Sequence, residues 1–321
     1  MPLRPHARPR APLPAHGVHC NLQELTLLRV RAASLDLATP RSAARATGSG
    51  APSRQRGRGL EFEEVRAYAP GDDVRTIDWR VSARTGRAHT RLFRAERERP
   101  VYLLLDQRQS MFFGTRGSMK SVQAAHAAAL LAWAALAGGD RVGGLVLGSA
   151  GRQESRPRRS RRAVLEFLRI ASEANAGLGA TVSSAEADPS GLAGALTSLR
   201  RLARPGALIL LLSDFHDWDA DCELQLKLLA RHCEVHGLEV HDPMERSLPP
   251  AGMAMFSDGR LQVLTDTASA GLREAYARES VQRLARLEES FRTARARLTP
   301  LPTGTDAAEV LGRCYARRRG A

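Results

Sequence analysis

Val101-Tyr102-Leu103-Leu104-Leu105 runs without polar interruption into Asp106-Gln107-Arg108-Gln109-Ser110, and Leu208-Ile209-Leu210-Leu211-Leu212 runs in the same way into Ser213-Asp214. A strand with one wet face alternates apolar and polar residues. These two segments are apolar throughout, which is the pattern of a parallel strand covered on both faces. Each ends by delivering a carboxylate. In an open parallel α/β sheet, ligands bind beyond the carboxyl ends of the strands, in the crevice where strand order reverses. Two carboxylates on adjacent strands about 4.8 Å apart outline a cation site.

Outward from these strands, helix and strand patterns alternate from residue 100 onward, which predicts a doubly wound, mostly parallel sheet with helices on both faces. Helices are expected over 119–137, 163–174, 190–202, 222–232, 268–298 and 307–316. Further strands are expected over 142–147, 235–240 and 299–303, with an edge strand near 153–157. Ser257-Asp258-Gly259-Arg260 lies between two apolar runs and predicts a tight hairpin. Residues 59–99 are dense in charge with isolated apolar anchors, Trp79 expected to be the buried one, and read as a small β-rich cover. Residues 1–58 are rich in Pro, Arg, Ala and Ser, and read as a largely disordered basic segment with one short helix over 22–30. The expected organisation is therefore 1–58, 59–99 and 100–321, the last part ending in a helical extension.

The chain has 321 residues, 43% of them hydrophobic but only 5% aromatic, so its core must rest on Leu, Val and Ala. Cys20, Cys222, Cys233 and Cys314 are few and scattered, which argues against a secreted disulfide framework. Met1-Pro2-Leu3-Arg4-Pro5-His6 lacks an apolar signal core. The longest apolar stretch, 124–139, falls short of the ~20 residues a membrane span needs. A cytoplasmic protein without a membrane span is expected. The net charge of +14 invites a nucleic-acid reading. However, residues 1–60 hold ten arginines against Glu24 and Asp36, and only Lys120 and Lys227 among the 48 basic residues are lysine. A solvated basic tail on an Arg-biased composition accounts for the charge, and no stacking platform of aromatics accompanies it. Nucleic-acid binding through the tail is the third reading, and no nucleic-acid partner is expected.

The block before the first strand carries a resemblance. Arg58-Gly59-Leu60-Glu61-Phe62-Glu63-Glu64-Val65-Arg66, Tyr68-Ala69-Pro70-Gly71-Asp72-Asp73-Val74-Arg75, Ile77-Asp78-Trp79, Ser82-Ala83-Arg84 and Gly86 resemble the signature of the bacterial domain of unknown function 58. Asp140-Arg141-Val142-Gly143 and His241-Asp242-Pro243-Met244-Glu245 add to the likeness. It implies a von Willebrand factor A-like fold and, as partners, a MoxR-type AAA+ ATPase and its client proteins. In the metal-ion-dependent adhesion site of that fold, Asp-x-Ser-x-Ser, a threonine and a later aspartate hold a cation. Asp106, Ser110 and Asp214 match by position, with Ser190 standing in for the threonine. Arg108 does not match, because a guanidinium donates only and is always charged. Either it bridges Asp106 and Asp214 in place of the cation, or it swings out and leaves a weakened site; Mg²⁺ is the ion such oxygen ligands would take. The alternative for both aspartates is helix capping and structural ion pairing.

No Gly-rich phosphate loop follows the first strand, no G-x-S-x-G elbow occurs, and Arg108 stands where a second phosphotransfer Asp would be. The acidic run from His216 to Glu223 fits a helix first turn better than a calcium loop, and Cys222, His232, Cys233, His236 and His241 lack zinc spacing. A non-enzymatic, protein-binding domain with a degenerate metal site is expected. A metal-dependent phosphohydrolase using Asp106 and Asp214 is the alternative. Besides Arg108, the residues expected to face a partner are Arg66, Tyr68, Gly71, Asp72, Asp73, Arg75, Asp78, Trp79 and Arg84. The Arg152–Arg162 run, with six arginines against Glu154, is a further patch for an acidic partner.

Overall fold

Asn21 opens the first helical stretch, its side chain accepting from the Glu24 amide at 2.9 Å. Helix α1 (Leu22–Leu27) then passes almost directly into α2 (Arg29–Ala32). This computed structural model describes residues 15–37, 60–69, 74, 77–95, 99–149, 151–179, 191–257 and 262–315, with the backbone alone described at 60–64 and 91–95. Residues 1–40 together with 99–321 form one compact unit, and residues 41–98 form another.

In the smaller unit, β1 (Leu60–Ala67) pairs antiparallel with β2 (His89–Ala95), with a bulge between Phe62 and Glu64. Between them lies α3 (Trp79–Thr85), capped by the Asp78 carboxylate, which accepts from the Arg80 and Val81 amides at 3.0 and 3.2 Å. Gly86 ends the helix with φ 70°, a left-handed conformation that favours glycine.

The larger unit continues in chain order with β3 (Pro100–Gln107), α4 (Lys120–Ala137), β4 (Arg141–Gly148), β5 (Gly151–Arg158), α5 (Arg161–Ala176) and α6 (Gly191–Leu202). Then come β6 (Leu208–Ser213), α7 (Ala220–Ala230), β7 (Glu234–His241), β8 (Met253–Ser257) and β9 (Gln262–Asp266). Helix α8 (Ala270–Thr293), β10 (Arg297–Pro302) and α9 (Ala307–Cys314) complete it. One sheet has the order β10-β7-β6-β3-β4-β5, parallel throughout except for the antiparallel edge strand β5. The chain steps outward from β3 to β4 and β5, then returns to lay β6 on the other side of β3. Strand order therefore reverses between β3 and β6. The helix expected over 268–298 is shorter because Arg295 adopts φ 56°, which no α-helix can continue through. Strands β8 and β9 pair as expected, while the turn residues 258–260 lie outside the described residues.

Period-2 alternation divides the two apolar runs between two cores. Val101, Leu103 and Leu105 of β3 and Leu208, Leu210 and Leu212 of β6 face a core shared with α4, α5, α1, α2 and α9. Tyr102, Leu104, Ile209 and Leu211 face the opposite core, shared with α6, α7 and the buried end of α8. The helices thus lie on both faces of the sheet. Residues of the 22–32 helical stretch are part of this packing: Leu25 and Ala32 are buried, and Trp133 Nε1 donates to the Leu25 carbonyl at 3.1 Å. A chain of buried amides ties the same segment to β3. The Cys20 amide donates to Asn175 at 2.8 Å, and Asn175 donates to Gln107 at 2.9 Å. Among the described residues no helix is long and apolar enough to cross a membrane.

Helix α5 presses on β4 at Gly144, where an added Cβ would stand 2.2 Å from the Leu103 carbonyl oxygen and 2.9 Å from the Phe167 ring. Backbone cannot yield there as a flexible side chain can. Gly144→Val is expected to lower unfolding free energy by about 3 kcal/mol, near the upper end of overpacking costs, as read by chemical denaturation. A loss below about 0.5 kcal/mol, the range of neutral surface changes, would contradict this packing.

Candidate functional site

Strand register determines what the carboxyl ends present. Leu105 of β3 lies opposite Leu212 of β6, so Asp106 and Ser213 follow side by side. Ser213 Oγ donates to Asp106 Oδ2 at 2.7 Å. Arg108 closes on the same carboxylate: its amide and Nε each donate to Oδ1 at 3.0 Å, and Nη2 donates to Oδ2 at 2.7 Å. Both Asp106 oxygens therefore carry two donors, which fills the lone-pair sites of an ionised carboxylate. The guanidinium then extends to Asp217 in the loop after β6, with contacts of 2.6 and 2.9 Å. Asp217 also accepts from the Leu192 amide at the start of α6, at 3.3 Å. Gly191 keeps this approach open. Its φ is 48°, and a Cβ there would come within 2.9 Å of Asp217 Oδ2.

Asp214 lies one residue beyond Ser213, and alternation turns it to the other side of the sheet. There it meets Lys120, the first residue of α4, whose Nζ donates to Asp214 Oδ2 at 2.8 Å and to Glu245 Oε1 at 2.6 Å. The Lys120 side chain is 1% exposed and that of Asp214 3%. Glu245 is anchored in turn, its other oxygen accepting from the Asp242 amide at 2.9 Å in a capping box. Asp242 joins three segments at this strand end. It accepts from Thr115 Oγ1 and Thr303 Oγ1 at 2.6 Å each, and from the Met244 amide at 2.9 Å.

Burial raises the Asp106 carboxyl above its ordinary range against the pull of Arg108, with the charge of Asp214 adding to the rise. Burial acts on Asp214 in the same direction but is outweighed by the Lys120 ammonium and the His216 amide, which hold its pKa at about 2. Lys120 is opposed by burial, yet Asp214 and Glu245 hold its pKa above the ordinary lysine value. At Asp217, partial burial is overcome by the Arg108 hydrogen bonds, and the carboxyl is lowered.

Arg108 does not bridge Asp106 and Asp214: it bridges Asp106 and Asp217, and Asp214 takes Lys120 instead. Sequence reasoning missed Lys120, Asp217 and Glu245. Ser110 is exposed in the 3-10 turn Gln109–Met111, and Ser213 supplies the hydroxyl that reaches Asp106. Ser190, Gly71, Asp72, Asp73 and Arg75 lie outside the described residues. Trp79 is not the buried anchor expected. It is 70% exposed at the start of α3, where Asp78 is the buried residue. Arg84 sits in the last turn of α3, Arg66 donates to the Ala67 carbonyl from β1, and the Tyr68 amide donates to Ala88. Among the described residues, no group of three or more His, Cys, Asp or Glu side chains could hold a metal ion. Cys222 and His236, weighed for zinc, are packed into the cores.

Comparison with known proteins gives the family. The profile described as "Protein of unknown function DUF58" matches residues 64–286. The chain belongs to that family. It is 33% identical over 268 residues to the uncharacterized proteins Rv1480 of Mycobacterium tuberculosis (strain H37Rv) and Mb1516 of Mycobacterium bovis, covering 83% of this chain and 82% of each relative. Among solved structures, the conserved hypothetical protein BatB from Bacteroides thetaiotaomicron is similar with a TM-score of 0.43 at 14% identity, over 67% of this chain and 96% of that one. An aerotolerance-related membrane protein from Bacteroides fragilis is similar with a TM-score of 0.42 at 16% identity, over 67% and 97%.

Replacing Lys120 by Met leaves two carboxylates facing a buried apolar side chain. The expected loss is about 3–5 kcal/mol of unfolding free energy, with part of it restored when Asp214→Leu is added. The Asp214 carboxyl, at about 2 when folded and ordinarily about 3.9 when unfolded, stabilises the fold above the unfolded value. That contribution is lost as pH falls toward the folded one. Asp214→Asn should therefore cost more at pH 6 than at pH 2.5, as measured by urea unfolding. Equal costs at both values, or an undiminished Lys120→Met protein, would contradict the pairing.

Proposed function

We propose that this chain is a non-enzymatic docking domain whose working surface is the β3–β6 strand-end face. The observation that carries this reading is the saturation of Asp106. A nucleophilic or metal-binding carboxylate needs a lone pair to offer, and here four donors occupy both oxygens. Asp214 accepts from Lys120 and from the His216 amide, one donor on each oxygen. The same saturation weighs against the phosphohydrolase alternative, which would use Asp106 as its nucleophile. What the face offers outward is the Arg108–Asp217 pair, the Asp217 side chain being 41% exposed. It is a fixed, charged feature at the place where α/β sheets carry their variable functional groups.

The partner class rests on the resemblance to DUF58 proteins: a MoxR-type AAA+ ATPase, with this chain as adaptor in assembling or remodelling client proteins. The internal pairs replace a bound cation, so docking at this face needs no Mg²⁺. Trp79 supports a second contact surface in the 41–98 unit, because an exposed tryptophan on a short helix that also carries the exposed Arg80 and Arg84 combines the residue types enriched at binding hot spots. A cytoplasmic setting suits such an adaptor.

Capture of a MoxR-type ATPase from the same genome by the full chain tests the reading. Asp217→Ala, which leaves Arg108 its Asp106 contacts, is expected to weaken capture roughly tenfold, the ~1.4 kcal/mol of an interface charge, while the melting temperature stays within a few degrees. Capture at full strength by both Asp217→Ala and Trp79→Ala, or turnover of phosphoesters with Mg²⁺ or Mn²⁺, would overturn it.

A further inference from the structure

Beside the Asp214 loop, at the ends of β6 and β7, α8 overhangs a cavity of about 230 Å³. Part of its lining is apolar and aromatic. Phe215, Trp218 and Leu287 line it, and the two rings pack on each other and on the buried Phe291 behind them with centroids 5.5–5.6 Å apart. Phe215 adopts φ 50°, a left-handed conformation that costs a non-glycine residue free energy and persists only where surrounding packing holds it. Arg283 and Arg286, about one turn apart on α8, line the same cavity.

The charges around this cavity are unequal in a specific way. Two carboxylates reach it, and each is neutralised from within the fold: Asp214 by Lys120 at 2.8 Å, and Glu239 by Arg246 at 2.7 Å, with His241 Nδ1 at 2.8 Å. Elsewhere on α8, Arg278 pairs with Glu274 and Arg292 with Glu289, while Arg273 spends its guanidinium on the Thr267 and Ala268 carbonyls. Neither Arg283 nor Arg286 has a carboxylate partner among the described residues. Among the described residues Arg283 reaches only the His216 ring, at 3.4 Å, and Arg286 only the Gln282 carbonyl of its own helix. Two guanidinium groups without a carboxylate partner, in a cavity with an aromatic lining, make a receptor for a carboxylate, since Arg matches that group with paired parallel donors. The volume lies below the roughly 300–1,000 Å³ of small-molecule sites, which favours one inserted side chain over a cofactor.

We infer that this cavity receives an acidic side chain of a protein partner, gripped by Arg283 and Arg286 beside the Phe215 and Trp218 rings. The inference deepens the docking reading and rests on it for the partner being a protein. It adds the chemistry of the contact, an acidic segment, and separates that contact from the Arg108–Asp217 rim.

The test uses the full chain and a fluorescent, end-capped hexaglutamate peptide as probe, in low salt. The wild-type protein is expected to bind it, and Arg283→Gln/Arg286→Gln to bind at least tenfold more weakly with an unchanged melting temperature. Arg278→Gln/Arg292→Gln removes the same charge from the same helix and is expected to keep binding within twofold. Equal weakening by both double variants would reduce the effect to net charge and overturn the site. So would a wild-type protein that ignores the peptide, or inorganic phosphate competing at concentrations as low as the peptide with the same arginine dependence. Loss of peptide binding with ATPase capture intact refutes the cavity alone. Peptide binding that needs these arginines, with capture of the ATPase absent, refutes the docking reading alone.

Discussion

A carboxylate at the end of a strand buried on both faces must be neutralised by something, and the rest of this site follows from what does it. Asp106 is fully buried. Removing an ionised carboxylate from water costs several kcal/mol unless partners replace its hydration. The same constraint holds the strands in place. An all-apolar strand has no wet face to penalise a slip, and Val101 to Leu105 are all apolar and buried. A one-residue slip of β3 against β6 would part Asp106 from Ser213 and carry Arg108 away from Asp217. The polar ends fix the register that the apolar middle cannot.

Two cations divide the work by the geometry of the pleat. Arg108 follows Asp106 by two residues and can fold back on it while its planar fork spans to Asp217. Asp214 turns to the α4 side and is met by a lysine, whose compact ammonium serves Asp214 and Glu245 from one buried position. Since Glu245 also caps the turn after β7, and Asp242 beside it gathers Thr115 and Thr303, the strand ends form one connected polar layer. A network so connected restricts the motion of the groups it joins.

Much of the fold was legible in the sequence because it depends on local signals: uninterrupted apolar runs for the strands, 3.6-residue spacing for the helices, and a reversal of strand order implied by their alternation. The positions of Asp106 and Asp214 at adjacent strand ends were legible for the same reason. Their partners were not. Asp106 and Asp214 are offset by one step in register, and one step in a strand reverses the face, so the shared cation expected between them becomes two separate pairs. Lys120 is 94 residues from Asp214 in the chain, and no spacing rule connects them. A signal was nonetheless present, because a lysine at the start of an Ala-rich buried helix is an outlier in a chain with only two. The exposure of Trp79 was hidden for another reason. A large aromatic among charges reads as an anchor, whereas in α3 the capping Asp78 is buried and Trp79 is exposed.

If Arg108 and Lys120 stand in for a metal ion, removing both should open the site to one. Thermal unfolding of the wild type and of Arg108→Ser/Lys120→Met, with and without 5 mM Mg²⁺ (roughly physiological total levels, and enough to saturate a site of about 10⁻⁴ M affinity), tests this most directly. Binding to the native state raises stability by RT ln(1 + [L]/Kd). No shift is predicted for the wild type, and the double variant should melt lower but recover part of the loss with Mg²⁺. A wild-type melting temperature that climbs by several degrees with Mg²⁺, beside a double variant that does not respond, would contradict the substitution of cations for metal.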